Sequence, residues 1–258
     1  MTNAERLLEA LDQRGRIAIA LSGGVDSMTL ATVAHRRART PPALFHAVSP
    51  AVPAAATALV RRFAAGEGWD LTVLDAREFD DPAYRANPVN RCYFCKTNLY
   101  GRIRSVTALT IASGTNLDDL GDFRPGLKAA DEHGVIHPFV IAGIAKAQIR
   151  ELARHEGLGD VAELPAQPCL SSRVETGIAI DAKDLAFIEA TEAALSALVE
   201  RRATLRCRLR REGVTIEVED VPEQHLPAME ALARRRCLEA GRSFAGLRPY
   251  RKSSAFIR

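Results

Sequence analysis

The sequence predicts an α/β domain with a parallel sheet, followed by a smaller α+β domain. In the first part of the chain, short apolar runs alternate with helical patterns of about 10 to 15 residues, which is typical of βαβ units. This rhythm changes beyond about residue 177. The length of 258 residues fits one medium domain with a smaller appendage. We therefore expect a first domain at residues 1–178 and a second at 179–258.

The first domain is expected to begin with a short helix at 6–11 and a strand at 16–21. The strand is a nearly continuous apolar run that ends in Ser-Gly-Gly, as buried parallel strands often do. The remaining expected helices are 25–39, 54–67, 91–104 and 145–156, and the remaining expected strands are 43–48, 70–75, 109–112 and 135–139. The connecting segments are polar or rich in proline, and they are loops at 77–90, 113–125 and 164–173. The last of these loops is too polar and too broken to be core.

The second domain is expected to contain a long helix at 182–202, followed by strands at 204–211 and 214–219. Glu212-Gly213 would join the two strands as a tight turn. A helix at 222–240 and a last strand near 242–247 complete the α+β pattern.

Composition and charge exclude several classes of protein. Hydrophobic residues make up 47% of the chain and charged residues 26%, which supports a packed core and argues against disorder. Apolar stretches fall short of the roughly 18 residues that span a bilayer, so we expect no membrane partner. The first residues lack the features of a secretory signal, and we expect a cytoplasmic protein.

The formal net charge of +3 gives little support to a nucleic-acid partner. The clearest runs of arginine lie in the last quarter, at Arg201-Arg202, 206–211 and 234–236. We expect them on solvated faces and predict no nucleic-acid binding.

A glycine-rich turn lies where the first strand should pass into a helix. Glycines there let the backbone approach an anion, and the helix N-terminus contributes its positive end. The turn matches neither the phosphate loop of P-loop ATPases nor the glycine spacing of dinucleotide folds. A plain capped helix start is the alternative. The residues expected to cradle phosphate are Ser22, Gly23, Gly24, Val25, Asp26 and Ser27.

Five cysteines in a chain of this size argue against a disulfide framework, because the number is odd. Cys92 and Cys95 would share one face of a helix. Such a pair is compatible with a redox dithiol, half of a zinc site, or part of an iron–sulfur site. Cys207 and Cys237 are expected to be packing residues.

Cys169 is the third cysteine that the sequence singles out. It lies in the proline-rich loop, and Ser171, Ser172 and Arg173 follow it closely. These neighbours could lower the thiol pKa or bind an anionic substrate. Three cysteines would leave one iron of a [4Fe–4S] cluster without a protein ligand.

Several motifs together resemble a known family. Ser22–Ser27 is similar to the pyrophosphate loop (PP-loop) of the ATP pyrophosphatases, whose fold is that of the adenine nucleotide alpha hydrolases. Behind it, residues 90–96, 114–126 and 168–173 look, in that order, like the LarE family of sulfur-insertion enzymes. The resemblance covers roughly Arg16 to Ile180.

The resemblance implies a two-step reaction in the biosynthesis of the nickel-pincer cofactor of lactate racemase. ATP would adenylate a carboxylate of pyridinium-3,5-biscarboxylic acid mononucleotide, and sulfur would then displace AMP. In some members, the cysteine matching Cys169 gives up its own sulfur and becomes dehydroalanine. Members that also have a Cys-x-x-Cys carry a [4Fe–4S] cluster as the sulfur donor, on positions matching Cys92, Cys95 and Cys169. This chain resembles the second group.

The remaining site residues follow from the same resemblance. Adenine would bind near 46–49, and Asp26 with Asp119, or with Asp118 instead, would hold Mg²⁺. A homo-oligomer and a small-molecule substrate are implied. The arginines that could clamp AMP or the substrate phosphate are Arg124, Arg173, Arg206 and Arg208. The C-terminal residues 249–254 lack both glycines of the family pattern.

Two other functions are compatible with these motifs. A PP-loop tRNA thiolase also combines such a loop with three cysteines, but it needs a large basic surface. A non-catalytic nucleotide-binding protein would bind ATP without releasing pyrophosphate.

Overall fold

Four parallel strands and the helices around them form the first of two compact units. The computed structural model describes residues 1–121, 123–165, 167–199 and 203–251. The first unit comprises residues 1–81 and 90–167, and the second comprises 82–89 and 168–258. The domain boundary expected after residue 178 stays a prediction.

The elements of the chain up to residue 167 first alternate between helix and strand, and after the third strand most of them are helices. In order they are α1 Asn3–Asp12, β1 Ile17–Leu21, α2 Val25–Arg37, β2 Ala43–Val48, α3 Ala54–Glu67, β3 Leu71–Asp75, α4 Pro82–Arg85, α5 Arg91–Arg104, β4 Thr110–Ala112, α6 Pro125–Glu132, α7 Pro138–Ile141 and α8 Lys146–His155. Within the described ranges, each helix is too short or too polar to cross a membrane.

The sheet of the first unit has the strand order β3-β2-β1-β4, and its strands are parallel. The expected α/β class with a parallel sheet is therefore confirmed. β2 and β3 follow one another on one side of β1, and β4 lies on the other side of β1. This reversal leaves a crevice at the carboxyl ends of β1 and β4, where ligands bind in open α/β sheets.

The central strand β1 is buried on both faces of the sheet. Its five residues are all buried, and alternate side chains enter different clusters. Ile17, Ile19 and Leu21 pack with residues of α1, α2 and α8. Ala18 and Ala20 pack with Tyr100 and other residues of α5 on the opposite face. Burying each Ile or Leu contributes about 1.5–3 kcal/mol, so the central strand anchors the loop that follows it.

The predicted strand at 135–139 is wrong. Ile136 forms one isolated bridge with Ala112, and Pro138 then starts the short helix α7. Proline lacks the N–H that a strand ladder needs but fits the first turn of a helix. Pro125 starts α6 in the same way, although no helix was expected there.

The second unit contains a three-stranded sheet of order β5-β6-β7. β5 and β6 are antiparallel, whereas β6 and β7 are parallel. The elements after residue 167 are α9 Ala182–Ser196, β5 Thr204–Arg210, β6 Gly213–Glu219, α10 Leu226–Glu239 and β7 Phe244–Pro249.

The helices of the second unit are shorter than expected, and Cys207 and Cys237 are buried as expected. The helix expected at 182–202 ends at Ser196, and residues 200–202 lie outside the described part. The helix expected at 222–240 begins with a 3-10 turn, Glu223–His225, before α10. Cys207 and Cys237 are buried, so their expected packing role is confirmed.

The segment 82–89 belongs to the second unit because Asn87 holds it there. The Asn87 amide donates to the carbonyls of Glu175 and Ile178, at 2.9 Å each. Asn87 itself is buried and has a left-handed backbone (φ +53°), a conformation that asparagine tolerates better than most residues.

Candidate active site

The predicted phosphate-binding turn lies at the carboxyl end of β1 and leads into α2. Gly23 makes the turn possible, because its φ is +80°. A Cβ at this position would also lie 3.0 Å from the carbonyl oxygen of Ala56 in α3. Only glycine satisfies both requirements without strain.

Two serine hydroxyls fold the turn onto itself. Ser27 Oγ donates to the carbonyl of Gly24 and accepts the N–H of Ser22, both at 3.1 Å. Ser22 Oγ in turn accepts the N–H of Gly24 at 3.3 Å. No side chain caps the first turn of α2 in the described structure. Its backbone N–H groups are therefore available to an anion, and the turn is formed before any anion binds.

The segment after β4 packs directly against this turn. A Cβ on Gly114 would lie 2.8 Å from the backbone nitrogen of Ser27 and 3.0 Å from the carbonyl carbon of Asp26. Both atoms belong to the backbone and cannot rotate away. The sheet crevice thus brings residues 22–27 and 113–116 together.

Gly114→Ala should push the predicted phosphate-binding turn, residues 22–27, out of place. Inserting a methyl group into such a contact costs about 1–3 kcal/mol. We expect affinity for inorganic pyrophosphate to fall at least about ten-fold and the free energy of unfolding to drop. Gly66→Ala in α3 is the matched control, because its Cβ would meet no atom within 4 Å. Unchanged pyrophosphate affinity in Gly114→Ala would contradict this account of the crevice.

Lys146 is a residue of the site for which the sequence carries no signal. It begins α8, and its Nζ lies 2.7 and 2.6 Å from the two carboxylate oxygens of Asp26. Its backbone N–H also donates to Asp118 at 2.9 Å. The lysine and Asp26 side chains are 34% and 26% exposed, so a ligand can reach the pair. A lysine at a helix start is too common to be a sequence signal.

Asp26 and Asp119 were predicted to bind Mg²⁺, and they lie close enough to influence each other. Burial raises the pKa of Asp26, the hydrogen bond and charge of Lys146 lower it, and the negative charge of Asp119 raises it further. Asp119 pairs with Arg124 at 2.7 Å and accepts the N–H of Asn116. Carboxylate oxygens suit Mg²⁺, but cationic side chains hold both carboxylates here.

His46, expected near adenine, is fully buried behind the turn. Its Nδ1 donates to the carbonyl of Leu21 at 3.0 Å, and its Nε2 accepts from the Thr57 hydroxyl at 2.9 Å. Burial lowers its pKa, so the ring is neutral. The side chain therefore braces the end of β1, and adenine binding by the backbone at 46–49 stays a prediction.

The paired thiols lie in the first unit, near the start of α5. This helix has the predicted bounds, so Cys92 and Cys95 share a face as expected. Both are half-buried.

Cys169 belongs to the second unit and precedes a 3-10 turn, Leu170–Arg173. The expectation that this loop is too polar for the core is confirmed at Pro165, Gln167 and Pro168, which are exposed, and is wrong for the turn, whose four residues are buried. Tyr84 and Ser171 share a buried hydrogen bond of 2.6 Å there. The thiol itself is half-buried.

Arg173 is buried and hydrogen-bonds to the backbone at Pro168 and Cys169. Its Nε and NH2 lie 3.0 and 3.1 Å from the two carboxylate oxygens of Glu192. Its NH1 donates to the carbonyls of Pro168 at 2.6 Å and Cys169 at 3.2 Å. The guanidinium is thus fully engaged, and hydrogen bonds of this kind compensate the cost of burying a charge.

Two further arginines that were predicted to bind phosphate lie beside this turn. Arg208 pairs with buried Glu217 at 3.0 Å and donates to the carbonyl of Ser172 at 3.0 Å. Arg206 lies over the ring of Tyr250, and burial, with Arg173 nearby, lowers its pKa. Their roles as phosphate ligands stay predictions.

The predicted iron–sulfur and magnesium sites can be compared with the grouping of possible metal ligands in the structure. In the part of the chain that the structure describes, no three His, Cys, Asp or Glu side chains are grouped to hold a metal ion. The [4Fe–4S] cluster on Cys92, Cys95 and Cys169 and the Mg²⁺ site at Asp26 and Asp119 stay predictions.

Comparison with known proteins gives three informative relatives, and no protein-family model matches. The uncharacterized protein slr1717 of Synechocystis is 34% identical over 85% of this chain and 82% of its own length. The uncharacterized protein MJ0830 of Methanocaldococcus jannaschii is 32% identical over 52% of this chain and 53% of its own length. The pyridinium-3,5-bisthiocarboxylic acid mononucleotide synthase of Lactiplantibacillus plantarum is 26% identical over 84% of this chain and 79% of its own length.

Proposed function

We propose that this chain, which belongs to the family of the Synechocystis protein slr1717, is an ATP-dependent sulfurtransferase of the LarE type. The observation that carries the proposal is the preformed phosphate-binding turn in the crevice between β1 and β4, faced by Lys146. The relative from Lactiplantibacillus plantarum is named for making a bisthiocarboxylic acid mononucleotide. We therefore propose pyridinium-3,5-biscarboxylic acid mononucleotide as the substrate, in nickel-pincer cofactor biosynthesis for lactate racemase.

The first step is adenylation of a substrate carboxylate. The N–H groups at the start of α2 would bind the β- and γ-phosphates of ATP, and Lys146 would exchange Asp26 for a phosphate oxygen. A carboxylate oxygen then attacks the α-phosphorus, the α–β bridging bond breaks, and pyrophosphate leaves. Asp26 and Asp119 are the proposed ligands of Mg²⁺, which would offset phosphate charge.

The second step transfers sulfur to the activated carbon. The Cys169 thiolate would attack the acyl-adenylate, form a thioester and expel AMP. Removal of the Cys169 Cα proton then breaks its Cβ–S bond, which leaves a thiocarboxylate on the substrate and dehydroalanine in the chain. This sacrificial route is the alternative, and the donor that we propose first is a [4Fe–4S] cluster that Cys92, Cys95 and Cys169 would hold.

Anaerobic purification separates the two sulfur sources. A cluster gives a brown protein with about four irons and four sulfides per chain, and this content is lost in Cys92→Ala. A colourless protein whose Cys169 becomes dehydroalanine after turnover identifies the sacrificial route.

One assay tests the proposed function itself. Purified protein is mixed with ATP, Mg²⁺ and the pyridinium biscarboxylate mononucleotide, and pyrophosphate and the sulfur-containing product are measured. We expect pyrophosphate release only when substrate is present. ATP binding without pyrophosphate release would instead indicate a nucleotide-binding protein, and salt-sensitive tRNA binding would indicate a tRNA thiolase. We propose a homo-oligomer with no nucleic-acid or membrane partner.

Lys146→Met should slow adenylation. The substitution removes a cation that would face the phosphates and leaves the Asp26 carboxylate without its two short contacts. We expect the rate of pyrophosphate release to fall about 100-fold, as when a preorganised donor is removed. Lys183→Met is the matched control, because Lys183 also lies in the first turn of a helix, α9, but in the other unit. An unchanged rate in Lys146→Met would exclude this role.

A further inference from the structure

His137 lies in the crevice beside the phosphate-binding turn, although neither its sequence context nor the proposed reaction assigns it a role. It immediately precedes α7, and its Nδ1 lies 2.9 Å from the hydroxyl of Ser113, which follows β4. Ser113 is buried and precedes Gly114, the residue that packs against the backbone of Ser27. The imidazole is therefore hydrogen-bonded to Ser113, and the next residue, Gly114, packs against the turn.

The hydrogen bonds around His137 leave one ring nitrogen for a ligand. Ser113 Oγ also lies 3.0 Å from the Thr115 hydroxyl. Ser113 can thus accept from Nδ1–H and donate to Thr115, and this arrangement suits both the neutral and the protonated ring. Among the described residues none bonds Nε2, so this nitrogen is available.

Charged groups on two neighbouring elements act on the ring in opposite directions. Burial lowers the pKa of His137, Asp119 in the 3-10 turn 117–121 raises it, and Lys96 on α5 lowers it. Without a ligand, the ring is therefore neutral near pH 7. A polyphosphate in the adjacent turn would add several negative charges and favour the protonated ring.

We propose that His137 takes up one proton from solvent when a polyphosphate binds to the turn, and that the resulting imidazolium faces the phosphate oxygens through Nε2. This inference rests on the proposed nucleotide site and adds a ligand to it. Nucleotide binding would then be tighter at low pH. The gain approaches ten-fold per pH unit between the pKa of the bound ring and the lower pKa of the free ring.

Calorimetry tests the proton uptake. The Mg²⁺ complex of α,β-methylene-ATP, whose α–β bridge this reaction cannot cleave, is titrated into the full chain at one neutral pH in buffers of different ionisation enthalpy. We expect wild-type protein to take up a fraction of a proton and His137→Asn to take up less by that fraction. His155→Asn is the control, because its exposed ring lies at the end of α8 and should leave the uptake unchanged.

The outcomes are distinct. Equal proton uptake in wild-type protein and His137→Asn, with both binding the nucleotide, overturns the role of His137 but leaves the proposed function intact. Failure of wild-type protein to bind the nucleotide overturns both. Nuclear magnetic resonance of wild-type protein checks the result without a variant, because the pKa of the His137 ring must rise when the nucleotide is added.

Discussion

Replacing Cys169 by alanine is expected to abolish sulfur transfer and to leave ATP-dependent pyrophosphate release near the wild-type rate. The phosphate-binding turn, Asp26 and Lys146 all belong to the first unit, whereas Cys169 belongs to the second. Both proposed sulfur sources require this thiol, so the loss does not depend on which one operates. The measurement is the yield of thiocarboxylate beside the yield of pyrophosphate in the same reaction.

Cys237→Ala is the matched control for this experiment. Cys237 is also a thiol of the second unit, but it is buried on α10. We expect some loss of stability and no loss of sulfur transfer. If Cys169→Ala still produced thiocarboxylate at the wild-type rate, both sulfur routes would be wrong.

Glu192→Gln should release the Cys169 segment and destabilise the second unit. Removing one charge of a buried pair leaves the other uncompensated, at a cost of about 3–5 kcal/mol. Glu192 also accepts the backbone N–H of Cys207 at 2.9 Å, so the change affects β5 as well. We expect a lower midpoint in urea, faster alkylation of Cys169 by iodoacetamide, and slower sulfur transfer with little change in pyrophosphate release.

Two comparisons isolate the buried charge pair. Glu239→Gln removes one partner of an exposed pair with Arg235 and should cost about 0–1 kcal/mol. The double variant Arg173→Met, Glu192→Leu should be less destabilised than either single substitution, because neither leaves a buried charge alone. Strictly additive losses would show that Arg173 and Glu192 do not act as a pair.

The sequence predicted most of the sheet because its strands and helices carry local signals. The apolar run of β1, the glycines after it and the bounds of α3 and α5 all follow from short-range patterns. The strand at 135–139 failed for a local reason too: the apolar residues around Pro138 have the composition of a buried strand, but the proline starts a helix.

The parts of the candidate site that depend on distant residues could not be predicted. Lys146 meets Asp26 across 120 positions of sequence, and neither residue signals the other. Arg173 and Arg208 were predicted as phosphate clamps because arginine suits that chemistry. The structure pairs them with Glu192 and Glu217, two carboxylates in elements that had no predicted role in the site, and their phosphate-binding role stays a prediction.

Because residues 82–89 belong to the second unit, cleaving the chain at one position cannot separate the two units. The chain leaves the first unit after residue 81, contributes one short segment to the second, and returns at residue 90. Asn87 is hydrogen-bonded to Gly177 and Ile178, and Arg85 is hydrogen-bonded to Ile180. During synthesis, the segment therefore emerges before the residues to which it bonds. A ribosome-bound chain that ends near residue 167 would therefore hold the segment unpaired until residues 177–180 emerge.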